Sequence, residues 1–144
     1  MKQLTDKEAA AHGISAVHHE MDNGELRFRL VSTGGSSHIM TKSTGCNGWQ
    51  NSHVHHRKQE FYVVEKGFAL FALLQGGRVQ FKKLCENESL SIPLGVAHNV
   101  LLSDNAVLHT VKYGTQDEDW NPCPELDEQL AAMDTDMLLA RAET

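Results

Sequence analysis

Residues 48–67 read GWQNSHVHHRKQEFYVVEKG, and within them His53, His55 and Glu60 have the spacing of a common site. In an extended strand alternate side chains share a face, so His53 and His55 point the same way. Glu60 opens the next β-type run, EFYVVE (60–65), after a short bend, and can approach the two imidazoles. Two imidazoles and a carboxylate are borderline ligands suited to Fe, Mn, Ni, Cu or Zn as the divalent ion. A second stretch, Pro93-Leu94-Gly95-Val96-Ala97-His98, can deliver a third imidazole. Its proline and glycine make a tight turn, and His98 opens a strand. His56 competes for a ligand role but falls on the opposite strand face from His55.

The surrounding sequence is a series of short β-type runs between turn signals. They are LRFRLVST (26–33), SHIMTKS (37–43), SHVHH (52–56), EFYVVE (60–65), FALFALL (68–74), RVQFKKL (78–84), SLSI (89–92), HNVLL (98–102) and AVLHTVKY (106–113). Gly34-Gly35, Lys66-Gly67, Gly76-Gly77 and Ser103-Asp104-Asn105 punctuate them. No helical pattern separates the runs, which argues against a βαβ architecture, and an antiparallel sandwich or barrel is expected. Before the runs, Thr5 and Glu8 form a capping-box pattern for a short helix that Gly13 can stop. Residues 1–24 otherwise lack a sheet period, and His18 and His19 read as surface residues. After the runs, TQDEDWNPCP (115–124) is turn-like. An amphipathic helix is expected over 125–142, with Leu126, Leu130, Met133, Met137, Leu138 and Ala142 recurring at helical spacing.

The chain has 144 residues, enough for one domain with a sizeable core, so a single domain is expected over 1–144. Hydrophobic residues make up 40% and charged residues 22%, the balance of a globular chain. A net charge of −6, with basic residues scattered, argues against nucleic-acid or anionic-membrane partners. No apolar run approaches the ~20 residues of a membrane span. The polar N-terminus has no signal-peptide pattern, so a cytoplasmic location is expected. Cys46, Cys85 and Cys123 have no CxxC spacing and read as neither a disulfide framework nor a thiolate zinc site. Cys46 stands out only for its position just ahead of the histidines.

His53-Val54-His55, four residues, Glu60, six residues and Gly67 resemble the first motif of the cupin superfamily. Pro93-Leu94-Gly95-Val96-Ala97-His98 resembles the second, and 68–92 has the length of the two strands between them. The departures are Asn47 in place of the first glycine, with Gly48 one step on, Asn87 in place of a turn glycine, and Leu102 in place of an asparagine. The resemblance covers about 25–114. It implies an all-β double-stranded β-helix, a jelly-roll barrel flanked here by short N-terminal and C-terminal helical segments. It also assigns one divalent metal ion to His53, His55, Glu60 and His98.

If Glu60 points inward, alternation sends Tyr62 and Val64 inward, and His98 does the same for Val100 and Leu102. Tyr62 is thus a catalytic candidate or a packed core residue. His109, alternating with Val107, Val111 and Tyr113, is a second catalytic candidate, and Lys112 would then face the other way. Trp49, Gln50 and Val100 are candidates for the substrate pocket. The expected function is a metal-dependent enzyme acting on a small polar metabolite by isomerisation, epimerisation, decarboxylation or oxygenation. The alternative is a non-catalytic module that binds or senses a small ligand. Exposed sheet edges and apolar terminal segments, with the resemblance, lead to a homodimer as the expected assembly, with the N-terminal segment or the 125–142 helix in its interface.

Overall fold

The computed structural model describes residues 1–45 and 47–143, so Cys46 lies outside the described residues. Helix α1, Asp6–Ala11, comes first, followed by strands β1 Ile14–Glu20, β2 Leu26–Ser32, β3 Ser37–Lys42, β4 His53–Val54 and β5 Gln59–Lys66. Strands β6 Ala69–Gln75, β7 Arg78–Leu84, β8 Ser89–Ile92, β9 Ala97–Leu102, β10 Val107–Tyr113 and β11 Asn121–Pro122 follow. Helices α2, Pro124–Ala131, and α3, Thr135–Glu143, end the chain.

The strands form two antiparallel sheets, in the orders β1-β2-β3-β10-β5-β8 and β11-β4-β9-β6-β7. The chain stays within one sheet from β1 to β3 and from β6 to β7, and changes sheet at every other strand connection. That winding makes the expected jelly roll. Its core lies between the sheets, with Tyr62 and Val64 from β5, Phe71 from β6, Val100 and Leu102 from β9 and Leu108 from β10. Full burial of side chains of this size contributes about 1.5–3 kcal/mol each.

Alternation is clean on β5, where Glu60, Tyr62 and Val64 are buried and Phe61 is exposed. It disappears on β9, whose six residues are all buried. The outer face of that sheet is covered by α2, through Leu126 and Leu130 packed on Ala72 and Ala97. The continuous apolar run of β6 has the same cause. The C-terminal helix expected over 125–142 is two helices. The chain breaks at 132–134, and Asp134 restarts it by accepting the Met137 N–H at 3.2 Å. A side-chain cap and the helix propensity of its neighbours compete there, and the cap wins. No helix among the described residues is long and apolar enough to cross a membrane.

Residues 14–20 are a strand, contrary to the reading of 1–24 as outside the sheet. β1 pairs with β2 along its full length, from Ile14 opposite Ser32 to Glu20 opposite Leu26. It is an edge strand with six of its seven residues exposed, so no apolar period marks it. His18 and His19 are exposed, as expected, but on this strand. Helix α1 carries the expected capping box between Thr5 and Glu8.

Candidate metal centre

The two motif stretches are tied together before any side chain is considered. His53 on β4 lies directly opposite His98 on β9, and the Gly95 N–H donates to the His55 carbonyl at 2.8 Å. Gly95 has φ +81°, which the Pro93–Gly95 turn requires and which a side chain would strain. Asn87, standing where the motif has glycine, takes φ +66°, the left-handed geometry that asparagine tolerates. At Gly67, φ is +73° and a Cβ would lie 2.5 Å from Ser103 Oγ, so a side chain at this motif position would be strained and would displace Ser103.

His53, His55, Glu60 and His98 are all buried. Their tips converge: Glu60 Oε1 lies 2.8 Å from His98 Nε2, 3.0 Å from His55 Nε2 and 3.7 Å from His53 Nε2. Each histidine uses its other nitrogen on a backbone carbonyl. Nδ1 of His53 donates to Asn51 O at 2.9 Å, Nδ1 of His98 to Val96 O at 3.0 Å, and Nδ1 of His55 to Asp119 O. A carbonyl only accepts, so in the neutral rings the proton sits on Nδ1 and Nε2 presents a lone pair. Three lone pairs and a carboxylate oxygen then face one another, and none of the four atoms has a hydrogen-bond donor. Such a cluster of buried acceptors calls for a cation at its centre. Among the described residues His53, Glu60 and His98 have ligand atoms all within 4.8 Å of one another.

The second carboxylate oxygen is held separately. Tyr62 donates its hydroxyl to Glu60 Oε2 at 2.8 Å, and Lys112 Nζ lies 3.5 Å from the same atom. Burial opposes ionisation of Glu60, but the surrounding histidines and Lys112 outweigh it and hold the carboxyl far below its usual range. Burial pushes the Tyr62 phenol well up, and neighbouring Glu60 adds to this. Tyr62 is therefore both core and site: its ring packs edge-on against Phe71, and its hydroxyl is committed to Glu60.

A cavity of about 170 Å³ opens over the cluster, with His53 and Glu60 exposed to it. Gln50 lines it. Three other candidates are corrected. Val100 is packed in the core and is not part of the lining. Trp49 lies on the far side of the five-stranded sheet, bridged to Leu101 and tilted against Phe81, and borders only an adjoining hollow. His109 is on the outer face of the six-stranded sheet, where its Nδ1 lies 2.9 Å from His38 Nε2. Its neighbours Leu108, Thr110 and Lys112 face the cavity instead. The apolar face of β10 is its outer one because the inner one serves a polar site. His56 is exposed, away from the cluster.

The sequence reading missed residues 115–122, which close over the site. The Asp119 carboxylate accepts the backbone N–H groups of His56, Arg57 and Lys58, at 2.7 to 3.2 Å, and its carbonyl orients His55. Those amides hold the Asp119 carboxyl far below its usual range. Trp120 stacks on the His53 ring, with centroids 5.5 Å apart and planes 24° apart, and lines the cavity. An aromatic stranded in a polar turn, Asp119-Trp120-Asn121-Pro122, was the available signal. Arg27, also in the lining, stands on β2 with no motif to mark it.

No protein-family model matches the sequence, and no curated protein is significantly similar to it. Solved structures do match. An oxalate oxidase aligns with TM-score 0.57 and 20% identity over 78% of this chain and 68% of its own. Oxalate decarboxylase from Bacillus subtilis, a protein with Mn(II) centres, aligns with TM-score 0.61 and 15% identity over 88% of this chain. The present chain spans only 34% of that enzyme's length. KdgF from Halomonas sp. aligns with TM-score 0.54 and 15% identity, over 67% of this chain and 86% of its own. At these identities the likeness establishes the fold, and that fold, wrapped around a buried cluster of three histidines and a glutamate, is the cupin fold.

Proposed function

We propose that this protein is a metal-dependent cupin enzyme that binds one divalent ion through His53, His55, Glu60 and His98. Its substrate is a small polar metabolite, and its reaction is an isomerisation, epimerisation, decarboxylation or oxygenation. The observation that carries the reading is the set of four buried acceptor atoms facing one another with every Nδ1 already committed to a carbonyl. When bound there, a divalent ion supplies Lewis acidity or a redox centre, with open positions toward the cavity. The chain's own groups do the rest. Backbone carbonyls fix the histidine tautomers, and Tyr62 and Lys112 orient Glu60. Trp120 and the segment around it limit access of water, and Gln50 and Thr110 offer hydrogen bonds to a ligand.

The test begins with elemental analysis of protein purified without chelators, followed by substrate screening with metal-loaded and metal-stripped protein. Stoichiometric metal with metal-dependent turnover supports the proposal. Stoichiometric metal with ligand binding but no turnover makes the protein a binding module, and absence of any metal removes the reading. We further infer a homodimer, supported by the exposed apolar side chains Leu30, Phe61, Val111 and Tyr113 on the outer face of the six-stranded sheet.

A further inference from the structure

The cavity over the cluster gathers two cationic side chains in a chain that is acidic overall. Its charged lining residues are Arg27, Lys112 and Glu60, and Glu25 stands behind Arg27 with 3.6 Å between Oε1 and Nη2. Without an ion, the two carboxylates balance the two cations. A divalent ion at the cluster leaves an excess of two positive charges in a small cavity.

The Glu25–Arg27 pair is incompletely matched. Glu25 is fully buried and takes a hydrogen bond from Gln50 Nε2 at 3.0 Å, but its Oε2 has no partner. Arg27 Nε is buried and has no acceptor, although the guanidinium borders the cavity. A buried guanidinium N–H without an acceptor costs free energy that a ligand oxygen recovers. Guanidinium also matches carboxylate with two parallel hydrogen bonds. The cavity is below the ~300–1,000 Å³ of drug-sized pockets, so the ligand is a molecule of few atoms.

We propose that this cavity is a carboxylate site: a small organic acid places a carboxylate at Arg27, with Lys112 as the second cation, and its remaining oxygens toward the histidine–glutamate cluster. The inference rests on the metal-centre reading only for the ligand's second end. Arg27 and Lys112 are thereby specificity-determining residues that select an anion over an uncharged isostere.

The test uses the full chain, once loaded with Mn(II) and once stripped of metal, titrated calorimetrically with malonate, with the uncharged isostere malonamide and with inorganic phosphate. Malonate is expected to bind at least about tenfold more tightly than malonamide, in line with the strength of charge-assisted hydrogen bonds. Arg27→Gln should remove most of that preference while the metal-to-protein ratio stays unchanged. Because Arg27→Gln strands a buried Glu25, the double variant Glu25→Gln/Arg27→Gln is measured beside it, with circular dichroism as the folding control, and should behave alike. Lys112→Met should weaken malonate by a larger factor than malonamide. Equal affinity for malonate and malonamide, or a preference untouched by the variants, overturns the proposal. Phosphate binding as tightly as malonate overturns the carboxylate assignment. Stripped protein that keeps an Arg27-dependent preference supports the anion site whether or not metal is ever bound. Loaded protein without the preference leaves the metal centre standing and removes the anion site.

Discussion

At the level of single residues, the convergence on Glu60 Oε1 ranks the side chains by what they touch. His53→Ala, His55→Ala, Glu60→Ala and His98→Ala should each weaken metal binding by more than the ~10–100-fold that loss of a ligand's supporting partner costs. His56→Ala should leave it near wild type, since His56 is exposed. Metal-to-protein ratios after dialysis against a weak chelator check both, and equal loss in the His55 and His56 variants would place the wrong imidazole at the site. Tyr62→Phe keeps the ring on Phe71 and deletes only the donor to Glu60. It should therefore lower metal affinity by about tenfold, toward the lower end of the effect of such partners, with little change in fold. Unaltered affinity would make Tyr62 a packing residue alone.

At the level of elements, segment 115–122 holds the site, and helix α2 packs on the sheet that carries it. Asp119 pins the loop after β4 through three backbone amides and orients His55 through its carbonyl. Asp119→Ala should reduce metal affinity by about 10–100-fold, since a ligand's orienting loop is released. It should also increase proteolysis within 115–122. Resistance and affinity both unchanged would show that the loop is held by other contacts. Helix α2 acts on stability instead. Leu126 is fully buried against the five-stranded sheet, whereas Met137 on α3 is half exposed. Leu126→Ala should cost about 2–5 kcal/mol in urea unfolding, and Met137→Ala within about 0.5 kcal/mol. Comparable losses at both positions would mean that α3 is packed as firmly as α2.

For the whole molecule, acid should act on fold and metal site in the same direction. Metal-binding imidazoles must be neutral, and unperturbed histidine titrates near pH 6.5, so metal loading should fall between about pH 7.5 and about pH 5. Burial lowers the His53 pKa, against the pull of Glu60. The unfolded chain therefore takes up that proton at higher pH than the folded one, and stability declines as pH falls below about 6.5. The depressed carboxyl of Asp119 adds a further loss below its ordinary range near pH 4. Thermal midpoints and metal content measured over this range, on loaded and stripped protein, check the sign, and loading that is flat with pH would contradict a three-histidine site. Assembly is decided at this scale as well. The apolar residues Leu126 and Leu130 are used on the chain's own sheet, which leaves the outer face of the six-stranded sheet as the surface for the proposed dimer. Sedimentation should give about twice the 16.0 kDa chain mass, and Phe61→Glu with Val111→Glu should return it to monomer. A monomer at every concentration in the unmodified protein would remove the dimer.

The local pattern was sufficient for everything that depends on strand period and turn chemistry. Alternation along 60–65 put Glu60, Tyr62 and Val64 on one face, and the resemblance to the two cupin motifs implied the four converging side chains without any pairing being known. The capping box at Thr5 and Glu8 was equally local. What depended on long-range pairing was not legible. β1 has water on both faces, so nothing in its composition separates it from a loop until β2 lies beside it. The inward face of β10 could not be chosen, because the usual rule that the apolar face is inside inverts where the interior is a polar site. Asp119 and Trp120 reach His55 and His53 across more than 60 positions of chain. Arg27 reaches the cavity only because the winding of the jelly roll brings β2 over it. A residue's chemistry is written in the sequence, but which chemistries meet is set by strand order, and strand order is a property of the folded chain.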